Sequence, residues 1–308
     1  MSIPLRLGTR GSPLALAQAH MVAAALRATH GLAEDAIEIV VVRTTGDKVQ
    51  DRALAEIGGK ALWTKELDER LLARDIDFAV HSMKDVETVR PPTIAIAAML
   101  ARADVRDRLI GAESLAALPH RARIGTSSPR RAAQVRRARP DAEILLFRGN
   151  VETRLRKLHE GEADATLLAA AGLDRRGVAV GHAVPIAAML PAPAQGAVGI
   201  EARADDRDVR HLLSAIDHAP TSACVEAERA LLAALGADCR SPVAALAQVD
   251  ARELHLRAEI LSEDGASCVA GEARFASNDR AAPARLAHDL LARAPADLRA
   301  LFAPPTVA

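Results

Sequence analysis

Residues 77–85 join an apolar run to a cluster of reactive side chains. Residues 78–80 are compact and apolar, as in a buried strand. The run ends abruptly at residues 81–85, which are His, Ser, Met, Lys and Asp. In open α/β sheets, ligands bind just beyond the carboxyl ends of the strands, so a lysine and a carboxylate at this point indicate a reaction site. Asp85 is therefore our first candidate for a catalytic residue. The alternative is a solvated turn with a local ion pair between Lys84 and Asp85.

The three cysteines, Cys224, Cys239 and Cys268, are widely spaced and include no CxxC pair, which argues against a disulfide framework and a thiolate zinc site. Lone cysteines are usually small buried hydrophobes, and this fits Cys224 in a helical pattern and Cys268 in a strand-like run. Cys239 fits less well, because it lies in a loop of turn residues beside Arg240. A neighbouring arginine favours the thiolate, so Cys239 is a candidate point of covalent attachment.

Two passages share one pattern and predict an internal duplication. Residues 5–13 and residues 122–129 each contain a short apolar strand, a Gly-Thr turn, and a Ser-Pro pair that opens an alanine-rich helix. Helix N-termini present free N–H groups and a partial positive charge, so both turns are candidate anion sites.

The similarity continues downstream of both turns. Amphipathic helices over residues 64–72 and 151–158 lead to short apolar strands that end near residues 80 and 168. Such alternation predicts βαβ units and a mostly parallel sheet. We therefore expect two similar α/β domains that face each other across a cleft.

The pattern changes after about residue 219. A helix over residues 223–235 precedes the Cys239 loop, three strand-like runs cover residues 243–249, 253–261 and 267–275, and a last helix covers residues 283–293. This order predicts a small α+β domain with an antiparallel sheet. The Cys239 loop would have to reach out of it toward the cleft.

Eight cationic side chains lie at strand-to-helix junctions or helix starts, where a doubly wound domain binds ligands. They are Arg10, Lys60, Lys84, Arg130, Arg131, Arg148, Arg154 and Arg175. Arginine grips carboxylate or phosphate with two parallel hydrogen bonds. So many cations in one place predict a polyanionic ligand that offsets their repulsion. The alternative is a set of ordinary surface arginines.

Composition excludes several classes of function. Forty basic residues balance forty acidic ones and aromatic residues make up 2%, so a nucleic-acid partner is not expected. No apolar segment is long enough to span a membrane, and the N-terminus has no apolar signal core, so we expect a cytoplasmic protein. Phosphate-loop and dinucleotide motifs are absent, and no histidines stand at ligand spacing, so no metal site is expected.

Together these residues resemble the porphobilinogen deaminase (hydroxymethylbilane synthase) family over nearly the whole chain. Eight runs carry the resemblance: residues 8–15 (GTRGSPLA), 45–47 (TGD), 58–60 (GGK), 81–86 (HSMKDV), 125–131 (GTSSPRR), 148–151 (RGNV), 170–173 (AAGL) and 195–201 (QGAVGIE). Cys239 stands where the family has its cofactor cysteine.

The resemblance implies a fold and an activity. It implies two α/β domains like those of periplasmic binding proteins, formed by residues 1–98 with 197–217 and by residues 103–193, and a third α+β domain over residues 220–308. It also implies a dipyrromethane cofactor joined by a thioether to Cys239. Four porphobilinogen units would be added with loss of ammonia, and water would release a linear tetrapyrrole for porphyrin and heme biosynthesis. We expect a monomer.

The resemblance also assigns site residues. Asp85 would stabilise the cation left when ammonia departs. Cofactor binding would involve Cys239, Lys84, Ser82, Arg130, Arg131, Thr126 and Ser128. Substrate binding would involve Arg10, Ser12, Lys60, Trp63, Arg148, Arg154, Arg175 and Gln195.

A few positions depart from the family pattern. Ala237 and Asp238 precede the cysteine where a glycine pair is frequent, and Glu87 replaces a common proline. Glu56 occupies a position that is lysine in some members, and Ala61 one that is usually glycine. None of these touches Asp85 or Cys239.

Two rival functions remain open. One is a two-lobed anion-binding protein without catalysis, for which a reactive cysteine would have no use. The other is a hydrolase that uses Cys239 as nucleophile and His81 as base, which requires hydrogen-bond contact between the two.

Overall fold

The computed structural model describes residues 4–43 and 64–302. The strands are β1 (Leu5–Arg10), β2 (Ile37–Val42), β3 (Phe78–Ser82), β4 (Ile94–Met99), β5 (Asp107–Ile110), β6 (Arg123–Gly125), β7 (Glu143–Leu145), β8 (Ala165–Ala169), β9 (His182–Ala183), β10 (Val198–Arg203), β11 (Val243–Asp250), β12 (Glu253–Leu261) and β13 (Cys268–Ala276). The α-helices are α1 (Pro13–His30), α2 (Lys65–Leu72), α3 (Pro129–Ala138), α4 (Val151–His159), α5 (Ala170–Arg175), α6 (Arg207–Ser214), α7 (Ala219–Leu235), α8 (Ala282–Arg293) and α9 (Ala296–Ala300).

Two five-stranded sheets share one topology. Their strand orders are β2-β1-β3-β10-β4 and β7-β6-β8-β5-β9. In both, the first three strands of the order are parallel, and the fourth is antiparallel to its two neighbours. The prediction of two similar α/β domains is thus confirmed.

Both sheets are mixed: four strands of each point the same way, as the mostly parallel prediction requires, and one strand, β10 or β5, runs against them. Strand β5 follows β4 of the first sheet, and β10 follows β9 of the second, so each sheet receives one strand from a chain segment that has just crossed between them. These strands are antiparallel to the neighbouring strands of the βαβ units that they join. Local hydrophobic periodicity does not show that the chain crosses from one sheet to the other.

The core of the first sheet follows from residue spacing. Helix α1 begins at Ser12, whose Oγ accepts a hydrogen bond from the Ala15 amide, and ends at Gly31 in the left-handed conformation. Its Val22 and Leu26, four residues apart, pack on the sheet with Leu7 and Phe78. The second sheet has an equivalent core of Leu109, Ile124, Val135 and Leu167. Burial of these side chains fixes the strand ends that line the cleft.

The third part of the chain is an antiparallel sheet, β11-β12-β13, covered by α7 and α8. Strand β12 has the predicted bounds, and the other elements differ from prediction by a few residues. Helix α7 begins four residues earlier than predicted, because Nδ1 of His218 caps it by accepting from the Thr221 amide. The α+β prediction is confirmed, and Cys224 lies in this core.

A buried ion pair joins the two crossing segments to α7. Both carboxylate oxygens of Glu228 accept from Arg102, at 2.7 and 3.0 Å, and they also accept from the backbone amides of Ala194 and Ala247. Arg102 Nε donates to the carbonyl of Gln195 at 2.9 Å. All three parts of the chain therefore meet at Glu228, and its bonds hold in place the backbone segments on which the site is built. Within residues 4–43 and 64–302, none of the helices has the length and apolar character to cross a membrane.

Candidate active site

A cavity of about 730 Å³ lies between the edges of the two larger sheets and the Cys239 loop. Thirteen of the predicted site residues line it: Arg10, Ser12, Ser82, Lys84, Asp85, Ser128, Arg130, Arg131, Arg148, Arg154, Arg175, Gln195 and Cys239. Thr126 does not line it; this buried side chain accepts a hydrogen bond from the Ser128 amide and shapes the second Gly-Thr turn. Lys60, Trp63, Glu56 and Ala61 lie outside the described residues.

Asp85 ends a single 3-10 turn, Met83–Asp85, directly after β3. Met83 points into the core, where a Cβ on Gly199 would lie 2.0 Å from its sulfur, so the neighbouring strand needs glycine there. With Met83 buried, the turn directs Asp85 to the cavity wall. Among the described residues, the Asp85 carboxylate has no hydrogen-bond partner, which leaves both oxygens available to a ligand.

Lys84 lines the same wall, and enclosure in the cavity lowers the pKa of its ammonium to about 8. The positive charges of Arg131 and Arg130 contribute to this lowering, whereas Asp85 and Asp107 act in the opposite direction. A desolvated ammonium gains most from an anionic ligand, because the ligand restores the lost stabilisation of its charge.

Cys239 lies at an exposed tip of its loop and lines the cavity together with Asp85. The effect expected of Arg240 on the thiol does not prevail. Burial of the sulfur, together with the charges of Asp238 and Asp85, raises the pKa of the Cys239 thiol to about 11. Arg240 opposes this only weakly, because its guanidinium pairs with Asp238 at 2.5 Å. The thiol is thus protonated at neutral pH, so covalent attachment needs an activated electrophile.

Arg130 and Arg131 share one buried carboxylate that the sequence interpretation missed. Asp107, 3% exposed, accepts from Arg130 at 2.9 Å, from Arg131 at 2.7 Å and from Gln195 Nε2 at 2.9 Å. Burial alone would raise the pKa of Asp107, but the two guanidinium groups outweigh it and hold that pKa well below the usual range. Part of the repulsion among the cations is therefore offset by the protein itself.

Arg130 and Arg131 also donate to the carbonyl oxygens of Leu190 and Leu167, respectively. Their Nε atoms are buried with no partner in the described part of the chain.

Arg154 has a different environment. Its Nε donates to the carbonyl of Gly149 at 3.0 Å, and one terminal nitrogen lies 3.3 Å from Ser127 Oγ. Burial and the neighbouring Arg131 and Arg148 lower the pKa of its guanidinium to about 10. Arg154 is therefore a desolvated cation whose hydrogen-bond partners in the described chain are neutral.

Three helix N-termini open at the cavity. Ser12, Ser128 and Asn150 are the N-caps of α1, α3 and α4, and all three line it. Among the described residues, ten Arg or Lys side chains line the cavity against three carboxylates, Asp85, Glu152 and Asp238. Helix dipoles and side-chain charges thus favour an anionic ligand. The duplicated Ser-Pro pattern indicated two of these helix starts.

Ser82 and His81 bond to the protein itself. Ser82 Oγ lies 2.8 Å from Nε2 of Gln18, a buried residue of α1 that also lines the cavity and that the sequence interpretation did not select. His81 Nε2 lies 3.2 Å from the buried carboxylate of Glu201, which Arg90 also contacts. Among the described residues His81 makes no hydrogen bond with Cys239, so the geometry that a cysteine hydrolase needs is not present there.

Within the described ranges, no group of three or more His, Cys, Asp or Glu side chains is arranged to hold a metal ion. Cys268 is half-buried beside Arg137 and Glu259, away from the cavity.

Comparisons with known proteins show the family of this chain. The model of the porphobilinogen deaminase dipyrromethane cofactor binding domain matches residues 5–211, and that of the porphobilinogen deaminase C-terminal domain matches residues 222–292. Porphobilinogen deaminase of Sphingopyxis alaskensis is 62% identical over 307 residues, which is 97% of each chain, and that of Paracoccus denitrificans is 51% identical over 300 residues, 96% of each.

Among solved structures, the BvgS periplasmic VFT2 domain of Bordetella pertussis is similar at 13% identity and a TM-score of 0.38, covering 68% of this chain and 86% of that one. The amino acid ABC transporter substrate-binding protein AbpA of Streptococcus pneumoniae is similar at 11% identity and a TM-score of 0.40, covering 69% and 87%. The two family models together span most of the chain, and the chain belongs to the porphobilinogen deaminase family.

Proposed function

We propose that this chain joins four porphobilinogen units, with loss of four ammonia molecules, onto a dipyrromethane primer bound to Sγ of Cys239, and releases hydroxymethylbilane by hydrolysis. Family membership supports the transferase activity. One observation carries the assignment of residues: Asp85 of the first sheet and Cys239 of the third domain line a single cation-rich cavity.

The residues present fit a dipyrromethane. Cys239 offers an exposed sulfur, and the surplus of cations around it suits a group whose two pyrroles each carry an acetate and a propionate. When bound, the group supplies a tethered pyrrole that can be extended. Lys84, Arg130 and Arg131, with Ser82 and Ser128, are the cofactor-binding residues in this proposal; Thr126 acts through the turn that orients Ser128.

Asp85 has the catalytic role. Loss of ammonia leaves positive charge on the porphobilinogen ring, and a preorganised carboxylate stabilises that charge as it develops. The same carboxylate can accept hydrogen bonds from pyrrole N–H groups and move a proton during bond formation. Its lack of hydrogen-bond partners among the described residues supports this role, because no protein bond has to break first.

The remaining cations hold substrate carboxylates. Arg10, Arg148, Arg154 and Arg175 line the cavity, and Arg175 also donates to the carbonyl of Gly196 on the crossing segment at 2.7 Å. Ser12 and Gln195 contribute a helix cap and an amide at the same wall. Lys60 and Trp63 complete the substrate-binding set that the family resemblance implies.

We further propose the domain boundaries 1–98 with 197–217, 103–193 and 220–308. The membership of β10 in the first sheet and of β5 in the second supports them. We propose a monomer that acts in the cytoplasm without nucleic-acid or membrane partners, which the balanced charge and low aromatic content support.

Intact-mass measurement tests the proposed function against the rival of a non-catalytic anion-binding protein. Purified protein should exceed its sequence mass by one covalent dipyrromethane, and Cys239→Ser should remove both the excess and the activity. Cys268→Ser is the matched control, since that cysteine lies away from the cavity, and it should keep both. Fully active wild-type protein at the bare sequence mass would exclude the cofactor.

A further inference from the structure

The backbone that follows Asp85 docks on the third domain. The guanidinium of Arg229, on α7, donates to three successive carbonyl oxygens: those of Val86 at 3.3 Å, Glu87 at 2.6 Å and Thr88 at 3.1 Å. Arg229 is 9% exposed, so these bonds are shielded from water. The chain segment that carries the catalytic carboxylate is therefore held by the domain that carries the cofactor cysteine.

Thr88 adds a second and more directional link. Its Oγ1 donates to the carbonyl of Ala237 at 2.9 Å, and Thr88 lines the same cavity as Asp85 and Cys239. Thr88 is three residues from Asp85, and Ala237 is two residues from Cys239. An extended chain spans at most about 3.6 Å per residue, so the hydrogen bond lies within roughly 11 Å and 7 Å of the two groups along the backbone.

The Cys239 loop is compact enough to transmit a displacement of Ala237. Asp238 N donates to Ser241 Oγ at 3.2 Å, and Ser241 N donates to the Asp238 carbonyl at 3.0 Å. Arg240 clamps the Asp238 carboxylate. Ala237 is 4% exposed, and an alanine gives the base of the loop less backbone freedom than a glycine would.

Apolar packing also joins the segment after Asp85 to the third domain, but this packing is not directional. Val225 of α7 packs with Met83, Val86 and Met99 beneath the Asp85 turn. Such contacts hold the domains together and tolerate sliding, because the hydrophobic effect is not directional. A hydrogen bond with a fixed donor and acceptor limits that sliding.

We propose that Thr88 is a positioning residue, whose hydroxyl fixes the separation of the Asp85 carboxylate from the Cys239 sulfur through the carbonyl of Ala237. This rests on the function proposed above. Thr88 touches no reacting atom in this proposal. Its contribution is geometric, and a misplacement of about 1 Å can cost up to roughly a hundredfold in rate.

The test compares Thr88→Val, which removes the hydroxyl at nearly constant volume, with Thr88→Ser, which keeps it. In Thr88→Val holoenzyme we expect full primer loading by intact mass, a KM for porphobilinogen within about twofold of wild type, and a kcat about tenfold lower, the pattern of a lost transition-state alignment. Thr88→Ser should restore kcat. Thr88→Ala is measured alongside and replaces Thr88→Val in the comparison if the valine variant does not fold.

Three results would overturn the proposal: unchanged kcat in the variants that lack the hydroxyl, equal loss of kcat in Thr88→Ser, or a loss confined to KM and the unfolding midpoint. Wild-type protein without a primer would instead refute the proposed function itself. Loaded but unaffected Thr88→Val protein would refute only the role of Thr88, so the two failures are distinguishable.

Discussion

The two larger sheets have the same strand order and directions, yet the acid that lines the cavity and the acid that holds two of its arginines come from strands that do not correspond. Three residues beyond the equivalent strands β3 and β8, the chain has Asp85 in the first half and Gly172 in the second. At the start of the equivalent antiparallel strands β10 and β5, it has Val198 and Asp107. The duplicated framework therefore carries two acids at positions that do not correspond.

The environments of these two acids differ as much as their positions. Asp107 is buried and accepts hydrogen bonds from Arg130, Arg131 and Gln195. Asp85 lines the cavity and, within the described residues, accepts none. A carboxylate whose oxygens accept hydrogen bonds from arginine stabilises the fold. A carboxylate in a cation-lined cavity that accepts no hydrogen bond from the described residues is available for chemistry. The comparison separates the catalytic candidate Asp85 from a structural acid, Asp107, that the sequence analysis did not select.

The largest expected effect is on activity at Asp85. Asp85→Asn should lower the rate of ammonia release by about 10²- to 10⁴-fold, because the amide can neither stabilise developing positive charge nor accept a proton. The unfolding midpoint should stay close to that of wild type. Rapid-quench assays of ammonia release, with thermal unfolding in parallel, measure both.

Glu152→Gln is the matched control for that variant. Glu152 also lines the cavity, but its carboxylate is engaged by Arg176 at 2.9 Å. It should retain activity within a fewfold of wild type. Equal losses in the two variants would show that the cavity responds to total charge and that Asp85 has no special role.

At Asp107, unlike Asp85, the main effect of substitution should be on stability. Asp107→Asn leaves Arg130 and Arg131 without their buried counter-charge, and breaking such a pair costs about 3–5 kcal/mol. We expect a large fall in the urea midpoint. Asp174→Asn is the control, because Asp174 pairs with Arg108 at 2.6 Å but is 48% exposed, so its loss should cost less than about 1 kcal/mol. Similar midpoints for both variants would contradict the structural role of Asp107.

Much of this architecture follows from local patterns. Strand β12 has its predicted bounds because it alternates apolar and polar residues with period two. Helix α4, predicted over residues 151–158 because its apolar residues follow the helical period, ends one residue later. The reactive segment at Asp85 was identifiable because an apolar strand ends there in polar residues. These features depend on residues close together in the chain.

Features that depend on distant contacts were missed. Asp107 begins a strand, and the rule that ligands bind at carboxyl ends of parallel strands does not select such a residue. It lies beside Arg130 and Arg131 because β5 runs antiparallel to β8, which pairs the start of β5 with the end of β8. The Cys239 thiol was expected to ionise because of Arg240, but Asp238 takes up Arg240, and Asp85 adds charge from another domain. The pair between Asp238 and Arg240 is local, and only the effect of Asp85 depends on a contact between distant parts of the chain.

Arg154 sharpens the comparison among the cations. Unlike Arg130, Arg154 hydrogen-bonds only to a carbonyl and a hydroxyl in the described chain. Its positive charge therefore interacts in full with a ligand carboxylate. Hydrogen bonds to charged groups contribute about 1.5–3 kcal/mol, so Arg154→Gln should weaken elongation by about ten- to a hundredfold. Intact-mass analysis during turnover should show accumulation of enzyme with short chains.

The control is Arg156→Gln on the same helix, where Arg156 pairs with Glu160 at the surface. This variant should show wild-type intermediates. Equal patterns would contradict the role of Arg154.

The smallest expected effect concerns stability at Lys84. Its folded-state pKa of about 8 lies below the ordinary lysine value, so the unfolded state binds more protons between about pH 8 and pH 10.5. Without a bound primer, the stability of the protein therefore rises with pH across that window, and the cost of the enclosed charge is fully present below pH 8. In the primer-free Cys239→Ser background, Lys84→Met should increase stability by roughly 2 kcal/mol at pH 7, once the shift is discounted for solvent screening. This gain should vanish near pH 10.5, where the lysine is neutral in both states.

Lys65→Met, at an exposed position, is the control and should show no pH-dependent difference. Urea midpoints at pH 7 and pH 10 give the measurement, and a gain at Lys84 that did not change with pH would mean that packing, and not the charge, is responsible.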